Sequence, residues 1–382
     1  MHYPETKLPK VGTTIFTQMS ALAQAHQAIN LSQGFPDFDG PQALLERVDH
    51  YIRQGANQYA PMAGVPALCS AIAAKVERCY GRHVDAAAQV TVTSGATEAL
   101  FAAISAVVRP GDEVILFDPA YDSYDPAICL NGGHPVHLQL PPPSFAIDWQ
   151  AVAQAITPRT RMIILNTPHN PTGQTLSAAD MQALSDLVQG TDILLLADEV
   201  YEHIVFDGAQ HHSINRYPAL AERSFVVSSF GKTYHTTGWK IGYCVAPAVL
   251  TAELRKVHQY LTFSTSTPMQ LALADYLTAD PEHDQALPAF YQAKRDRFNA
   301  RMADSRFSFT PAAGTYFQVM DYSAISDLPD TEFALWLIEH AGVAAIPLSV
   351  FCQQPPEMKL IRFCFAKNET TLDQAAEQLC KI

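Results

Sequence analysis

Residues 89–108 read "QVTVTSGATEALFAAISAVV". A β-branched strand pattern ending at Ser94 passes through Gly95 and Ala96 into an apolar helical run. The same change recurs downstream. "EVILFD" (113–118) follows an "RPGD" turn, "RMIILNTP" (161–168) precedes the helix-compatible "SAADMQALSDLVQ" (177–189), and "DILLLADEV" (192–200), "SFVVSSF" (224–230) and "KIGYCVA" (240–246) follow. Strands alternating with helices predict a mostly parallel sheet covered by helices on both faces, an α/β fold. Right-handed crossovers then bring the parallel strand ends to one side, so Ser94, Asp118, Asn166, Asp198 and Ser229 all fall at or just past carboxyl ends. Ligands of open α/β sheets bind along that edge.

The pattern changes after about residue 285. A charged helix, "AFYQAKRDRFNARMA" (289–303), leads to short strands at "GTYFQVMD" (314–321), "VAAIPLS" (343–349) and "LIRFCFA" (360–366), then a last helix. This predicts a smaller α+β domain, with the first forty residues packing on it. The expected division is an arm with part of the small domain over 1–43, a large domain over 44–285 and a small domain over 286–382. A chain of 382 residues is long enough for two cores.

Composition narrows the class. With 48% hydrophobic and 16% charged residues the chain is globular, and no apolar run is long enough to span a bilayer. A formal charge of −13 without a basic cluster opposes nucleic acid. Lys7 and Lys10 before "IFTQMSALAQA" imitate a signal peptide, but Thr17, Gln18 and Ser20 interrupt the apolar stretch. An amphipathic arm or helix and a cytoplasmic location are expected. The seven cysteines, at 69, 79, 129, 244, 352, 364 and 380, form no C-x-x-C pair and read as reduced core residues. His211 and His212, after an Asp-Gly turn, read as a solvated loop, and no metal site is expected.

The chemistry concentrates at the strand ends. Lys232 follows Gly231, which lets a bulky group approach the backbone, and an apolar setting would favour a neutral amine able to form a Schiff base. Asp198 ends an apolar strand, where a buried carboxylate requires a cationic partner. The pyridinium nitrogen of pyridoxal phosphate is one such partner, and Tyr201 and Asn170 would then be placed to donate to its phenolic oxygen. "SGATEAL" (94–100) offers backbone N–H groups at a helix start to a phosphate, with Ser229 and Lys240 able to join. Taken singly, Ser94 and Thr97 also read as helix caps, "NPTG" as a turn and Lys240 as a surface charge.

Together these residues resemble the fold-type I pyridoxal-phosphate aminotransferases of class I/II. The likeness runs from "LSQGFPDF" (31–38) to "LIRFCFAK" (360–367) and is strongest toward the methionine/kynurenine branch, through "QGFPDF", "NQY", "GKT", "TGWK" and "IRFCF". It implies a seven-stranded sheet in the large domain. It implies that Lys232 holds the cofactor and carries the proton, that Gly95, Ala96, Thr97, Ser229 and Lys240 bind phosphate, and that Tyr121 stacks on the ring. Asp198 would meet the ring nitrogen, and Asn170 and Tyr201 the ring oxygen. Arg362 would grip the substrate carboxylate with its planar fork, beside Gly34 and Asn170. Tyr59 would reach the phosphate of a neighbouring subunit in a homodimer. On the residues alone, core packing is the favoured reading of Tyr59 and a strand surface charge that of Arg362. The wider family usually has arginine at the Lys240 position; the methionine/kynurenine branch shares the lysine.

For the substrate, "TTIFTQMS" (13–20), "NQYAPMAG" (57–64) and "IPLSVF" (346–351) contain no lysine or arginine. Ile15, Phe16, Tyr59 and Phe351 predict an apolar, partly aromatic pocket that favours methionine, with aromatic amino acids and kynurenine as competitors and a 2-oxo acid as acceptor. Two alternatives stand beside this: a cysteine-conjugate β-lyase using the same lysine, and a regulator with an aminotransferase-like domain, which the acidic chain leaves without a DNA-binding segment.

Overall fold

The strands that run apolar from end to end form the middle of the molecule. In the computed structural model, which describes residues 3–9 and 11–382, a short strand β1 (Ile29–Asn30) precedes the large sheet. That sheet comprises β2 (Val90–Thr93), β3 (Glu113–Asp118), β4 (His134–Gln139), β5 (Thr160–Asn166), β6 (Leu194–Asp198), β7 (Ser224–Ser229) and β8 (Gly242–Val245). Their spatial order is β2-β8-β7-β6-β5-β3-β4. Strand β8 runs antiparallel to both neighbours, and every other pairing is parallel. The mostly parallel seven-stranded α/β sheet is therefore present. Strand β3 is buried along its whole length, as expected for a strand covered on both faces.

One strand escapes the apolar-run reading. β4, "HPVHLQ", is half-buried in the middle, exposed at both ends, and carries Pro135. It is one of the two edge strands, where a missing N–H is tolerated. The expected convergence of strand ends follows from the topology: Asp118, Asn166, Asp198 and Ser229 are the last residues of β3, β5, β6 and β7, and Ser94 follows β2 directly.

A second, antiparallel sheet contains β9 (Phe317–Asp321), β11 (Ile346–Pro347) and β12 (Leu360–Cys364), in the order β11-β12-β9. Strand β10 (Val343–Ala344) pairs in parallel with β1, so the first forty residues do pack on the C-terminal elements. The helix Ile15–Ala25 starts at Thr14, whose hydroxyl accepts from Thr17 N, and buries Met19 and Ala23. Both residues join one apolar cluster that extends from the large sheet through the C-terminal strands to Leu379.

Two expectations need correction. His211 is not a solvated loop residue: it is 7% exposed, and its Nε2 lies 3.0 Å from the carboxylate of Glu199, which is itself fully buried and needs donors. No group of side chains suited to a metal occurs among the described residues. Of the cysteines, only Cys69, Cys244 and Cys364 are core residues, while Cys129 and Cys380 are exposed. No described helix is long and apolar enough to cross a membrane.

Candidate active site

A cavity opens at the carboxyl edge of the sheet. At one end the helix Gly95–Val107 begins, with its first N–H groups lacking intrahelical acceptors. Ser94 at the cap position makes no side-chain capping bond; its own N–H donates to the Glu98 carboxylate instead. Gly95, Ala96 and Thr97 line the cavity there. Close approach requires glycine twice. A Cβ on Gly242 would stand 2.7 Å from Ala96 N, and one on Gly95 would stand 3.1 Å from Lys240 Nζ. Lys240 itself has φ 54°, which turns the chain back so that its ammonium faces this helix start. Ser229 lines the same end. Helix-start N–H groups, a hydroxyl and an ammonium make a site for a phosphate.

At the other end stands Asp198. It is 3% exposed, accepts from Tyr124 Oη at 2.7 Å and from Val200 N at 3.3 Å, and burial pushes its pKa up to about 6. Asn166, its partner in register across β5 and β6, donates to the Asp198 carbonyl at 2.9 Å and accepts from Asn170 N at 2.8 Å. One asparagine therefore fixes both the Asp198 strand end and the Asn170 turn. Tyr121, Asn170 and Tyr201 complete the walls. Tyr201 is buried, and desolvation holds its hydroxyl well above the usual tyrosine range.

Lys232 projects between these ends from the short helix Phe230–Thr233. Its Nζ donates to Tyr316 Oη at 2.9 Å and to the Gly34 carbonyl at 3.1 Å. Burial lowers its pKa to about 8, assisted by the nearby cations Lys240 and Arg362. The amine is thus easier to deprotonate, as expected from its apolar setting.

Arg362 lies on β12, 1% exposed rather than on a strand surface. Its Nη1 donates to Asn170 Oδ1 at 2.7 Å and its Nη2 to the Ser32 carbonyl at 3.1 Å, while Nε, also buried, has no protein partner among the described residues. The guanidinium sits 3.9 Å from the Phe317 ring centroid, 5.2 Å from that of Phe351 and 5.5 Å from that of Phe16. Burial lowers its pKa to about 10. A buried cation with an unused N–H suits an anionic ligand group. Phe16 and Phe351 contact each other at 5.8 Å, whereas Ile15 is half-buried against the core.

Of the expected residues, Ile15, Phe16, Gly34, Phe351 and Arg362 are not in the lining of this cavity, although Gly34 and Arg362 adjoin it through Lys232 and Asn170, and Tyr59 is remote from it. Tyr59 is 84% exposed and rests against Phe263 at 5.3 Å, so it is not core packing and does not enter this chain's cavity. Three residues that complete the geometry, Tyr124, Asn166 and Tyr316, are not candidates from sequence. Asn166 carried a signal, a polar residue closing an apolar strand. Tyr316 lies 84 positions from Lys232 and only the fold joins them.

The residues fit pyridoxal phosphate at both of its polar ends: an anion cradle faces a buried carboxylate, with an amine of lowered pKa between them. The fold and this site define a pyridoxal-phosphate-dependent transferase. The chain belongs to the family of class I and II aminotransferases, whose pattern matches residues 26–379, and it is a transaminase that uses this cofactor. It is 61% identical over 376 residues to methionine aminotransferase of Escherichia coli strain K12, covering 98% of this chain and 97% of that protein. It is 34% identical to mouse kynurenine–oxoglutarate transaminase 1, covering 96% and 94% of the two chains. Among solved structures, Escherichia coli YbdL, identified with a methionine aminotransferase function, matches with a TM-score of 0.98 and 60% identity over all of both chains.

Proposed function

We propose that this enzyme takes the amino group from methionine, and more weakly from aromatic amino acids and kynurenine, and passes it to a 2-oxo acid. The observation that carries the donor class is the aromatic setting of Arg362. A carboxylate on its free Nε would leave the adjoining side chain among Phe16, Phe317 and Phe351, where a thioether gains contact and a second carboxylate would lie unpaired. Similarity to the Escherichia coli methionine aminotransferase supports the same donor.

The residue roles follow from the chemistry of each position. Bound pyridoxal phosphate supplies an electron sink for the carbanion at the substrate Cα. The N–H groups at Gly95, Ala96 and Thr97, with Ser229 and Lys240, would hold the phosphate, and Asp198 would keep the ring nitrogen protonated. Tyr121 would lie along the ring, and Asn170 and Tyr201, which line the same cavity, would donate to the ring oxygen. Lys232 would hold the cofactor, and its amine, made easier to deprotonate by burial, would take up and return the proton at the substrate Cα. Arg362, with Asn170 and the Gly34 segment, orients the substrate carboxylate so that the Cα–H bond faces that amine.

The exposed Tyr59 fits a homodimer in which it reaches the phosphate of the other subunit. The same reading treats 1–43, 44–285 and 286–382 as arm, large domain and small domain, and locates the enzyme in the cytoplasm. The test is direct: purified enzyme given pyridoxal phosphate, methionine and a 2-oxo acid should yield the 2-oxo acid of methionine together with a new amino acid. Release of pyruvate and ammonia from a cysteine conjugate, with no transfer from methionine, would instead identify a β-lyase.

A further inference from the structure

The ring of Tyr316 is fully buried and held on three sides, by Tyr201 at 5.0 Å, Phe317 at 5.0 Å and Tyr291 at 5.7 Å. Its backbone is fixed too, since Phe365 N donates to its carbonyl at 2.9 Å. The hydroxyl therefore has one available position. From there it lies 2.5 Å from the Gly34 carbonyl and 2.9 Å from Lys232 Nζ, while Nζ lies 3.1 Å from the same carbonyl.

The protons in this triangle can be assigned by elimination. A carbonyl oxygen only accepts, so the 2.5 Å contact with Gly34 takes the single hydroxyl proton and leaves none for the neighbouring Tyr201 hydroxyl. Burial raises the Tyr316 pKa well above 10, which keeps that proton in place. The hydroxyl oxygen then faces Lys232 as an acceptor. A neutral amine has two N–H bonds and one lone pair, and here two acceptors are in reach.

We propose that Tyr316 is a positioning residue: its hydroxyl and the Gly34 carbonyl engage both N–H bonds of the neutral Lys232 amine and so aim the nitrogen lone pair into the cleft. This rests on the reading of Lys232 as the proton carrier. In the step it serves, the substrate Cα–H bond breaks, the proton bonds to the Lys232 nitrogen, and the bonding electron pair remains on the cofactor-linked substrate. An amine free to rotate would present an N–H to Cα for much of the time. Misorientation of a reacting group costs up to about 100-fold in rate.

Tyr316→Phe tests this, because it keeps the ring and removes only the hydroxyl. Three readouts apply: kcat and KM for methionine, the rate difference between Cα-protiated and Cα-deuterated methionine in a single turnover, and the rate at which cofactor-free protein captures pyridoxal phosphate covalently, followed by absorbance. The expected result is a kcat about 10- to 100-fold lower with KM nearly unchanged, a larger deuterium effect as proton removal becomes limiting, and slower covalent capture. Wild-type values for all three overturn the proposal. So does a loss confined to KM or cofactor affinity with an unchanged deuterium effect, which would indicate packing alone. Lys232→Ala separates the two readings. If it still exchanges the Cα proton, the assignment of Lys232 falls; if it does not exchange while Tyr316→Phe behaves as wild type, only the role of Tyr316 falls.

Discussion

Tyr124→Phe should change how cofactor affinity depends on pH, by an amount set by one hydrogen bond. Tyr124 Oη donates to the buried Asp198 carboxylate at 2.7 Å, and Asp198 has a pKa of about 6 with that bond in place. A hydrogen bond to a charged group contributes about 1.5–3 kcal/mol, so its loss raises the carboxylate pKa by roughly one to two units. The cationic ring nitrogen binds the ionised form, and apparent affinity weakens by the fraction of Asp198 that is protonated. At pH 6 the wild type is half ionised, whereas the variant would be about 1–10% ionised, giving roughly 5- to 50-fold weaker binding. By pH 9 the two proteins should agree within about 1.2-fold, because both carboxylates are ionised there. The assay is a titration of cofactor-free protein with pyridoxal phosphate from pH 6 to 9, taking the ratio of the two dissociation constants so that the ligand's own ionisations cancel. A ratio independent of pH would refute the claim that Tyr124 acts through the charge of Asp198.

Three other perturbations follow from the geometry. Lys75 and Glu202 form an ion pair with both side chains under 10% exposed, so Lys75→Met should strand a buried carboxylate and lower unfolding free energy by about 3–5 kcal/mol in a urea titration. His137 lies between Asp118 at 2.7 Å and Asp125 at 3.0 Å, and these carboxylates raise its pKa to about 9 despite the opposing effect of burial. A raised histidine stabilises the fold fully below its unfolded pKa of about 6.5, and that stability fades as pH rises through 9. His137→Gln should therefore cost at most about 3 kcal/mol at pH 6 and nothing measurable in urea unfolding near pH 10.5. Gly242→Ala would put a methyl 2.7 Å from Ala96 N, shift the helix start that cradles phosphate, and weaken cofactor binding by about 10-fold or more while leaving the far end of the cavity intact. Equal affinity in a fluorescence titration would contradict that.

Much of the fold is legible because long apolar runs such as "EVILFD" have few other uses in a chain of this composition. β4 is not, because an edge strand carries neither continuous burial nor clean alternation, and Pro135 argues against it. Lys232, Asp198 and the Ser94–Thr97 turn can be read locally, since each lies where a strand ends and its residue type is costly or odd there. Roles for Tyr121, Tyr59 and Arg362 came from the family resemblance rather than from spacing. Tyr124 and Tyr316 escape both routes. Each acts through a partner 74 or 84 positions away, and a tyrosine in an apolar stretch reads as packing until the fold gives its hydroxyl a neighbour. The burial of His211 was hidden for the same reason, since Glu199, its partner, is twelve residues distant.

The whole account turns on which amine holds the cofactor. Borohydride reduction of the holoenzyme makes that bond permanent, and peptide mapping by mass spectrometry then identifies the modified residue. The account predicts a single modified position, Lys232, within "SSFGKTYHTTGWK". Modification at Lys240 in its place, or no modified lysine in an enzyme that still transaminates, would contradict it.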